Sequence, residues 1–374
     1  MVDSGETLRG YTLITAVGVG PTGTVWRAMQ GELGRTVAVK TLAPGVSQRL
    51  LRSEARVLAM LDHPNIVKVY DFVEAGADAP DDPAWLAEEW VEGDRLDELL
   101  TNVDGNRLSG EQALGVIRGA LLGLAHAHER GVVHGDVAAG NILVDAAGTS
   151  RVIDFGLAGP SGEAGGAGTP AFISPEAAQG LPVTPASDVY SAASVLYLLL
   201  AGDPPFGSSG GAALVARHVT EPPARLRAHG DRLADLMERA LSKDPGQRPP
   251  HAAAFLAELE EAAAERYGAT WLTRASVVER AAALITTESA DPDRTARKGL
   301  SRPALAAAGA VVVVIGIVVA IVLHYRLAVI GLGSTGKPRL EGTASARPTF
   351  SAPTGNCRLS APGAEIRKIT GSQQ

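Results

Sequence analysis

Residues 131–156 read Gly131-Val-Val-His134-Gly135-Asp136-Val-Ala138-Ala-Gly140-Asn141-Ile-Leu-Val-Asp-Ala-Ala-Gly148-Thr-Ser-Arg-Val-Ile-Asp154-Phe-Gly156. Two short β-branched runs, Ile142-Leu143-Val144 and Val152-Ile153, flank the turn-forming Ala146-Ala147-Gly148-Thr149-Ser150, a pattern that predicts an antiparallel hairpin. In a hairpin the start of the first strand lies beside the end of the second, so Asn141 and Asp154 are expected side by side. An amide oxygen and a carboxylate in such a pair suit Mg²⁺, a hard ion that prefers oxygen ligands. Asp136 precedes Asn141 on an irregular loop that begins at His134, where a carboxylate can act as a base or orient a nucleophile.

The order H-x-D-x-x-x-x-N followed by D-F-G resembles the catalytic loop and metal-binding motif of the bacterial eukaryotic-like (Hanks-type) serine/threonine protein kinases. Upstream, Tyr11 to Val17 reads as a strand, Gly18-Val-Gly20-Pro-Thr-Gly23 as a glycine-rich turn and Thr24 to Ala28 as a second strand. Such a hairpin leaves backbone N–H groups free to cradle phosphates. A dinucleotide-binding fold would need a helix after the glycines and an acidic residue about 20 residues on. Here β-rich sequence follows, and no Asp or Glu occurs between Glu32 and Glu54. Thr36-Val-Ala-Val-Lys40 alternates, with Val37 and Val39 on one face and Ala38 and Lys40 on the other. Ser47 to Leu61 has helical spacing, and Glu54 falls on the apolar stripe with Leu50, Leu51, Leu58 and Leu61. A carboxylate on a buried face is costly unless paired, and Lys40 is the expected partner.

Further motifs follow in order. Asp62-His-Pro-Asn-Ile-Val67 ends the helix and starts a strand, and Trp85 to Gly93 supplies a strand and a hinge, with backbone groups at Glu89, Trp90 and Val91. Leu114 to His128 is a helix apolar on one face. Ser174-Pro-Glu176 resembles the family's A-P-E, and Glu176 is expected to pair with Arg248. Asp188-Val-Tyr-Ser191 resembles the helix whose Asp holds the catalytic loop, and Gly168-Thr169-Pro170 the element that marks Ser/Thr kinases.

The resemblance covers about residues 10–264 and implies an α+β, bilobal kinase fold: a β-rich N-lobe (about 10–92) and a helical C-lobe (about 93–264), after an N-terminal extension, 1–9. It implies ATP and Mg²⁺ as cofactors and protein substrates with Ser/Thr acceptors. By the same resemblance, Asn141 and Asp154 hold the metal, Lys40 anchors the phosphates and pairs with Glu54, and Asp136 orients the acceptor hydroxyl. Val17, Gly18, Gly20, Gly23, Val25, Ala38, Lys40, Glu89 and Val91 surround the nucleotide. Three positions depart from the pattern: Glu88 stands at the usually uncharged gatekeeper position, Gly135 replaces the Arg of H-R-D, and Ala138 replaces a Lys aimed at the transferring phosphate. Gly140 fills the place of an Arg found in many tyrosine kinases. The alternative is a nucleotide-binding pseudokinase acting as a membrane-tethered switch or scaffold.

A net charge of −7 argues against non-specific nucleic-acid binding. The lone cysteine, Cys357, excludes an internal disulfide framework and a cysteine-based zinc site. Met1 to Gly10 carries no apolar stretch, so no signal peptide is expected. Ala304 to Leu323 has no polar side chain and, at about 1.5 Å per residue, matches a bilayer core of roughly 30 Å. A single transmembrane helix at 304–323 is therefore expected, after a juxtamembrane linker, 265–303, whose Arg294, Arg297, Lys298 and Arg302 can attract anionic lipid. The Ser/Thr/Gly/Pro-rich tail, 324–374, is expected to be disordered and extracytoplasmic, with the kinase domain cytoplasmic. There Cys357 could link two chains, one route to self-association, or stay a free thiol.

Overall fold

The computed structural model describes residues 4–20, 22–76, 83–162 and 168–275. The strands β1 (Thr7–Leu8), β2 (Tyr11–Gly20), β3 (Gly23–Gln30) and β4 (Arg35–Leu42) precede a helix, α1 (Arg49–Leu58). With β5 (Val69–Val73) and β6 (Trp85–Glu89) they form one antiparallel sheet in the order β1-β2-β3-β4-β6-β5. The alternation expected of β4 is observed. Val37 and Val39 are buried with Leu13, Ala28, Trp85 and Ala87, while Ala38 and Lys40 face the other way into a pocket. The glycine segment is more regular than expected: Gly18 pairs with Val25 and Gly20 with Gly23, because ladder bonds use only the backbone. Bulges between Leu13 and Thr15 and between Ala16 and Gly18 bend the strand.

The helix after β4 is shorter than Ser47 to Leu61, and its buried stripe is Leu51, Glu54, Ala55 and Leu58. Leu50 is 40% exposed, since its position, one residue before Leu51, is rotated off the i, i+3, i+4, i+7 face.

The second lobe begins with β7 (Gly93–Arg95), α2 (Leu96–Thr101) and α3 (Gly110–Glu129), the last started by a Ser109–Gln112 capping box. After β8 (Val132–Val133) come the hairpin β9 (Ile142–Asp145) and β10 (Ser150–Val152), then β11 (Gly159–Pro160). The remaining helices are α4 (Pro175–Ala178), α5 (Pro185–Ala201), α6 (Ala212–Thr220), α7 (Asp231–Ala240) and α8 (Ala252–Tyr267). In the hairpin, Val152 pairs with Ile142, and β7 adds to the other edge of β9. Helix α5 is buried almost all round, and its side chains join those of α3 and α8 in one core. The expected pair of Glu176 and Arg248 is present: Arg248 Nη1 and Nη2 donate to Glu176 Oε1 and Oε2 at 2.7 and 2.8 Å, tying α4 to the loop before α8.

Packing extends past the expected limits, 10–264, at both ends. Leu8 is buried in the sheet through β1, and Trp271 and Ala275 enter the core of α3 and α8. Among the described residues no helix is long and apolar enough to cross a membrane. The span expected at 304–323, the basic cluster and the tail with Cys357 lie outside the described residues.

Candidate active site

Three elements bring Lys40, Glu54 and Asp154 together. Lys40 Nζ, from β4, donates to Glu54 Oε1 and Oε2 of α1 at 3.0 and 2.8 Å and to Asp154 Oδ1 at 2.8 Å. Asp154 reaches that position from a left-handed backbone, φ 62°, which Asp tolerates better than most residues. The next residue, Phe155, is fully buried against the His134 ring, centroids 4.5 Å apart, which anchors the turn. Burial disfavours the charge on Lys40, but Glu54 and Asp154 hold its pKa above the ordinary value. Burial raises Glu54 to about 8 against the pull of Lys40. Burial also acts to raise Asp154, but attraction to Lys40 leaves it below the usual carboxylate range. One ammonium thus serves an excess of acids, and Asp154 is the one that keeps its charge most firmly.

The loop from His134 to Asn141 is held by Asp188 of α5. Its Oδ2 accepts from His134 N at 2.8 Å and its Oδ1 from Gly135 N at 2.9 Å, and His128 Nε2 lies 2.8 Å from Oδ2. Asn141 Nδ2 donates to Asp136 O and Oδ2 at 2.9 and 3.2 Å, while Thr169 N donates to Asp136 Oδ1 at 2.7 Å. These bonds fix the Asp136 carboxylate and leave Asn141 Oδ1 as the acceptor atom of that side chain. Ile153 N donates to Asn141 O at 3.0 Å, so the hairpin does set the two expected metal ligands side by side.

A pocket of about 220 Å³ lies between the lobes, lined by apolar walls from Val17, Val25, Ala38, Val67, Val91, Leu143 and Ile153. Lys40, Asn141 and Asp154 form a polar cluster in the lining, with Glu88 near enough for the charges of Lys40 and Asp154 to act on its own, and Glu89, Trp90 and Val91 continue the wall past Glu88. Of the expected nucleotide residues, Val17, Val25, Ala38, Lys40, Glu89 and Val91 line this pocket, whereas Gly18, Gly20 and Gly23 lie on the adjoining β2 and β3. Gly23 has a different reason to be glycine: a Cβ there would collide with the Thr41 carbonyl of β4. Leu143, Ile153 and Arg95 were not foreseen. The period-2 alternation of the hairpin carries the signal for the first two, since Ile142 and Val152 turn to the core and their neighbours turn to the pocket.

The protein kinase domain family matches residues 11–259. The chain belongs to that family. Among curated kinases, it is 37% identical over 257 residues to the serine/threonine-protein kinase PknA of Mycobacterium tuberculosis, covering 65% of this chain and 59% of PknA. The serine/threonine-protein kinase drp72 of Corynebacterium efficiens is 36% identical over 250 residues, 64% of this chain and 48% of that protein. PkaA of Streptomyces coelicolor, also a serine/threonine-protein kinase, is 35% identical over 275 residues, 64% and 47%. The chain thus spans about half the length of the curated relatives it matches.

Kinases of this family use ATP and Mg²⁺. The donor set fits the ion: Asn141 Oδ1 and the carboxylate of Asp154 are hard oxygens in the polar cluster of the kinase pocket. One departure in the kinase loop also has a local cause. Gly135 has φ 77°, and a Cβ there would stand 3.2 Å from the Leu157 carbonyl. A Cβ at Gly140 would meet the Arg95 guanidinium, the end of a flexible side chain that can swing away from it. Ala138 is buried and brings no charge.

Proposed function

We propose that the chain is a serine/threonine protein kinase that transfers the γ-phosphoryl group of ATP to Ser/Thr hydroxyls of proteins. The observation that carries this reading is Lys40 Nζ bound at once to Glu54 of α1 and to Asp154 after the hairpin, a link across both lobes in the polar cluster of the pocket. Phosphoryl transfer asks for positioning and charge neutralisation more than for covalent chemistry. Lys40 is placed to anchor nucleotide phosphates, and the β2–β3 hairpin to cover them. Mg²⁺ held by Asn141 and Asp154 would neutralise charge on the phosphate oxygens. Asp136, held by Thr169 N and Asn141 Nδ2, presents a fixed carboxylate to orient the acceptor hydroxyl and take its proton.

Ala138 favours the pseudokinase alternative, because the loop lacks a cation of its own there, and loss of one such donor typically costs about 10²–10³ in rate. We further propose that Ala304–Leu323 anchors the kinase domain at the cytoplasmic face of a membrane, supported by the unbroken apolar run.

The test is phosphate transfer from γ-labelled ATP by the full-length chain, beside Asp136→Asn. Incorporation that falls roughly 100-fold or more in the variant supports the kinase. Equal incorporation in both overturns it. Stabilisation by Mg·ATP without transfer supports the pseudokinase.

A further inference from the structure

Glu88 is a charged residue whose place in the pocket the reaction above does not use. It stands directly opposite Ala38 in the β4–β6 ladder, so its side chain projects from the pocket face of the sheet, as Ala38 and Lys40 do. Its Oε1 is buried and has no hydrogen-bond partner, a costly arrangement unless something else supplies a donor. Lys40 does not, since its ammonium is bonded to Glu54 and Asp154. Apart from Lys40, the lining side chains that carry donors are Trp90, Arg95 and Asn141, and none of them is bonded to Glu88, which leaves that oxygen open to a donor on the ligand.

Three residues along, Val91 belongs to neither β6 nor β7, and among the described residues no backbone hydrogen bond uses its N–H. The pocket wall therefore offers a side-chain acceptor at Glu88 and, past the end of β6, a backbone donor at Val91. Adenine presents the complementary order, a 6-amino donor beside the N1 acceptor. Guanine presents the reverse, a 6-oxo acceptor beside an N1–H donor.

We propose that Glu88 is a specificity-determining residue that accepts a hydrogen bond from the exocyclic 6-amino group of the purine and rejects 6-oxo purines. Burial raises its pKa to about 7, Lys40 opposing and Asp154 adding to the rise. The acceptor role survives protonation, because a neutral carboxyl keeps its carbonyl oxygen, whereas the rejection of a 6-oxo group belongs to the charged form, since the neutral form's O–H can donate to that oxygen. The proposal rests on the nucleotide reading above.

The full-length protein is titrated with the Mg²⁺ complexes of ATP, GTP and purine riboside triphosphate, which has hydrogen at position 6, and affinities are read by thermal shift and competition. The wild type is expected to prefer ATP to the 6-H nucleotide at least tenfold, consistent with a hydrogen bond to a charged group. Glu88→Gln, which keeps a carbonyl acceptor, retains most of that preference, and Glu88→Leu loses at least tenfold of it. Nucleotide binding in which Glu88→Leu keeps the wild-type preference within threefold overturns this inference alone. If the Leu variant does not fold, equal wild-type affinity for ATP and the 6-H nucleotide overturns it. Binding of no nucleotide overturns the kinase reading together with this one.

Discussion

Two side chains in the site, Ala138 and Glu88, set measurable properties of the whole enzyme. Ala138 is buried, but it borders a cleft shared with Asn141, Thr169 and Arg95, so a longer side chain has a way out along its own stem. Ala138→Lys is expected to raise kcat roughly tenfold or more, by placing a cation near the developing charge; steady-state kinetics with a fixed protein substrate checks it, and a flat or lower kcat counts against that account of the loop. Glu88 bears on stability through proton linkage. Its folded pKa, about 7, lies above the ordinary 4.5, so between those values the folded chain holds a proton the unfolded chain has lost. The resulting stability is complete below about pH 4.5 and disappears as pH rises through 7. Glu54, raised to about 8, acts in the same sense, and because the charge of Glu88 contributes to that rise, Glu88→Gln removes the titration of Glu88 and eases that of Glu54 as well. The informative quantity is therefore the difference between the two proteins. Without nucleotide, the melting temperature of Glu88→Gln is expected to gain on that of the wild type between pH 5 and 8, at roughly 2–4 °C per kcal/mol of linkage removed. Parallel curves would show that Glu88 titrates as an ordinary surface carboxylate.

Among the elements, the hairpin was the most legible, because β-branched runs around a Gly-Thr-Ser turn dictate pairing locally, and the pairing alone brings Asn141 to Asp154. Helix α1 was legible in kind but not in register: composition around Leu50 and Leu51 is equally apolar, and only packing against β5 and β6 decides which leucine is buried. Arg95 in the pocket was illegible because its guanidinium is turned by a bond to Asp97, a side-chain geometry that carries no periodic signal. The segment between Asp154 and Glu176 joins both kinds of information. Its hydroxyls are Ser161, Thr169 and Ser174. Ser174 is buried and caps α4, with Oγ accepting from Ala177 N at 3.4 Å, and Thr169 is tied to Asp136 through its backbone. Ser161 is exposed, and the Arg that would receive its phosphate in other kinases is Gly135, in a backbone conformation that favours glycine. Activity is accordingly expected to be independent of phosphate on this segment. Phosphatase treatment and Ser161→Ala should each leave the rate within about threefold of untreated wild type, and a tenfold loss in either would show that another cation orders the loop.

At the scale of the whole molecule, the kinase fold and the remaining sequence make separate demands that meet only in topology. Among the described residues the core reaches Ala275, and the apolar run of the sequence begins at Ala304, after a linker whose last ten residues are basic in sequence. Positive charge is a weak guide here, because Arg294, Arg297, Lys298 and Arg302 before the run are answered by Arg326, Lys337 and Arg339 after it. Chemistry decides more strongly: ATP and Mg²⁺ are supplied in the cytosol, and a domain that consumes them has to face it. With the proposed span, residues 324–374 would be on the opposite side, where an oxidising environment would permit Cys357 to join two chains. Protease added to intact cells is expected to remove the C-terminal tail and leave the kinase domain whole, read with antibodies to each end. Permeabilised cells should then lose both. Digestion of the kinase domain in intact cells would reverse the orientation and, by separating the enzyme from its nucleotide, undercut the catalytic reading as well. A tail that survives intact-cell digestion and is lost only on permeabilisation would place both ends on one side and remove the proposed span.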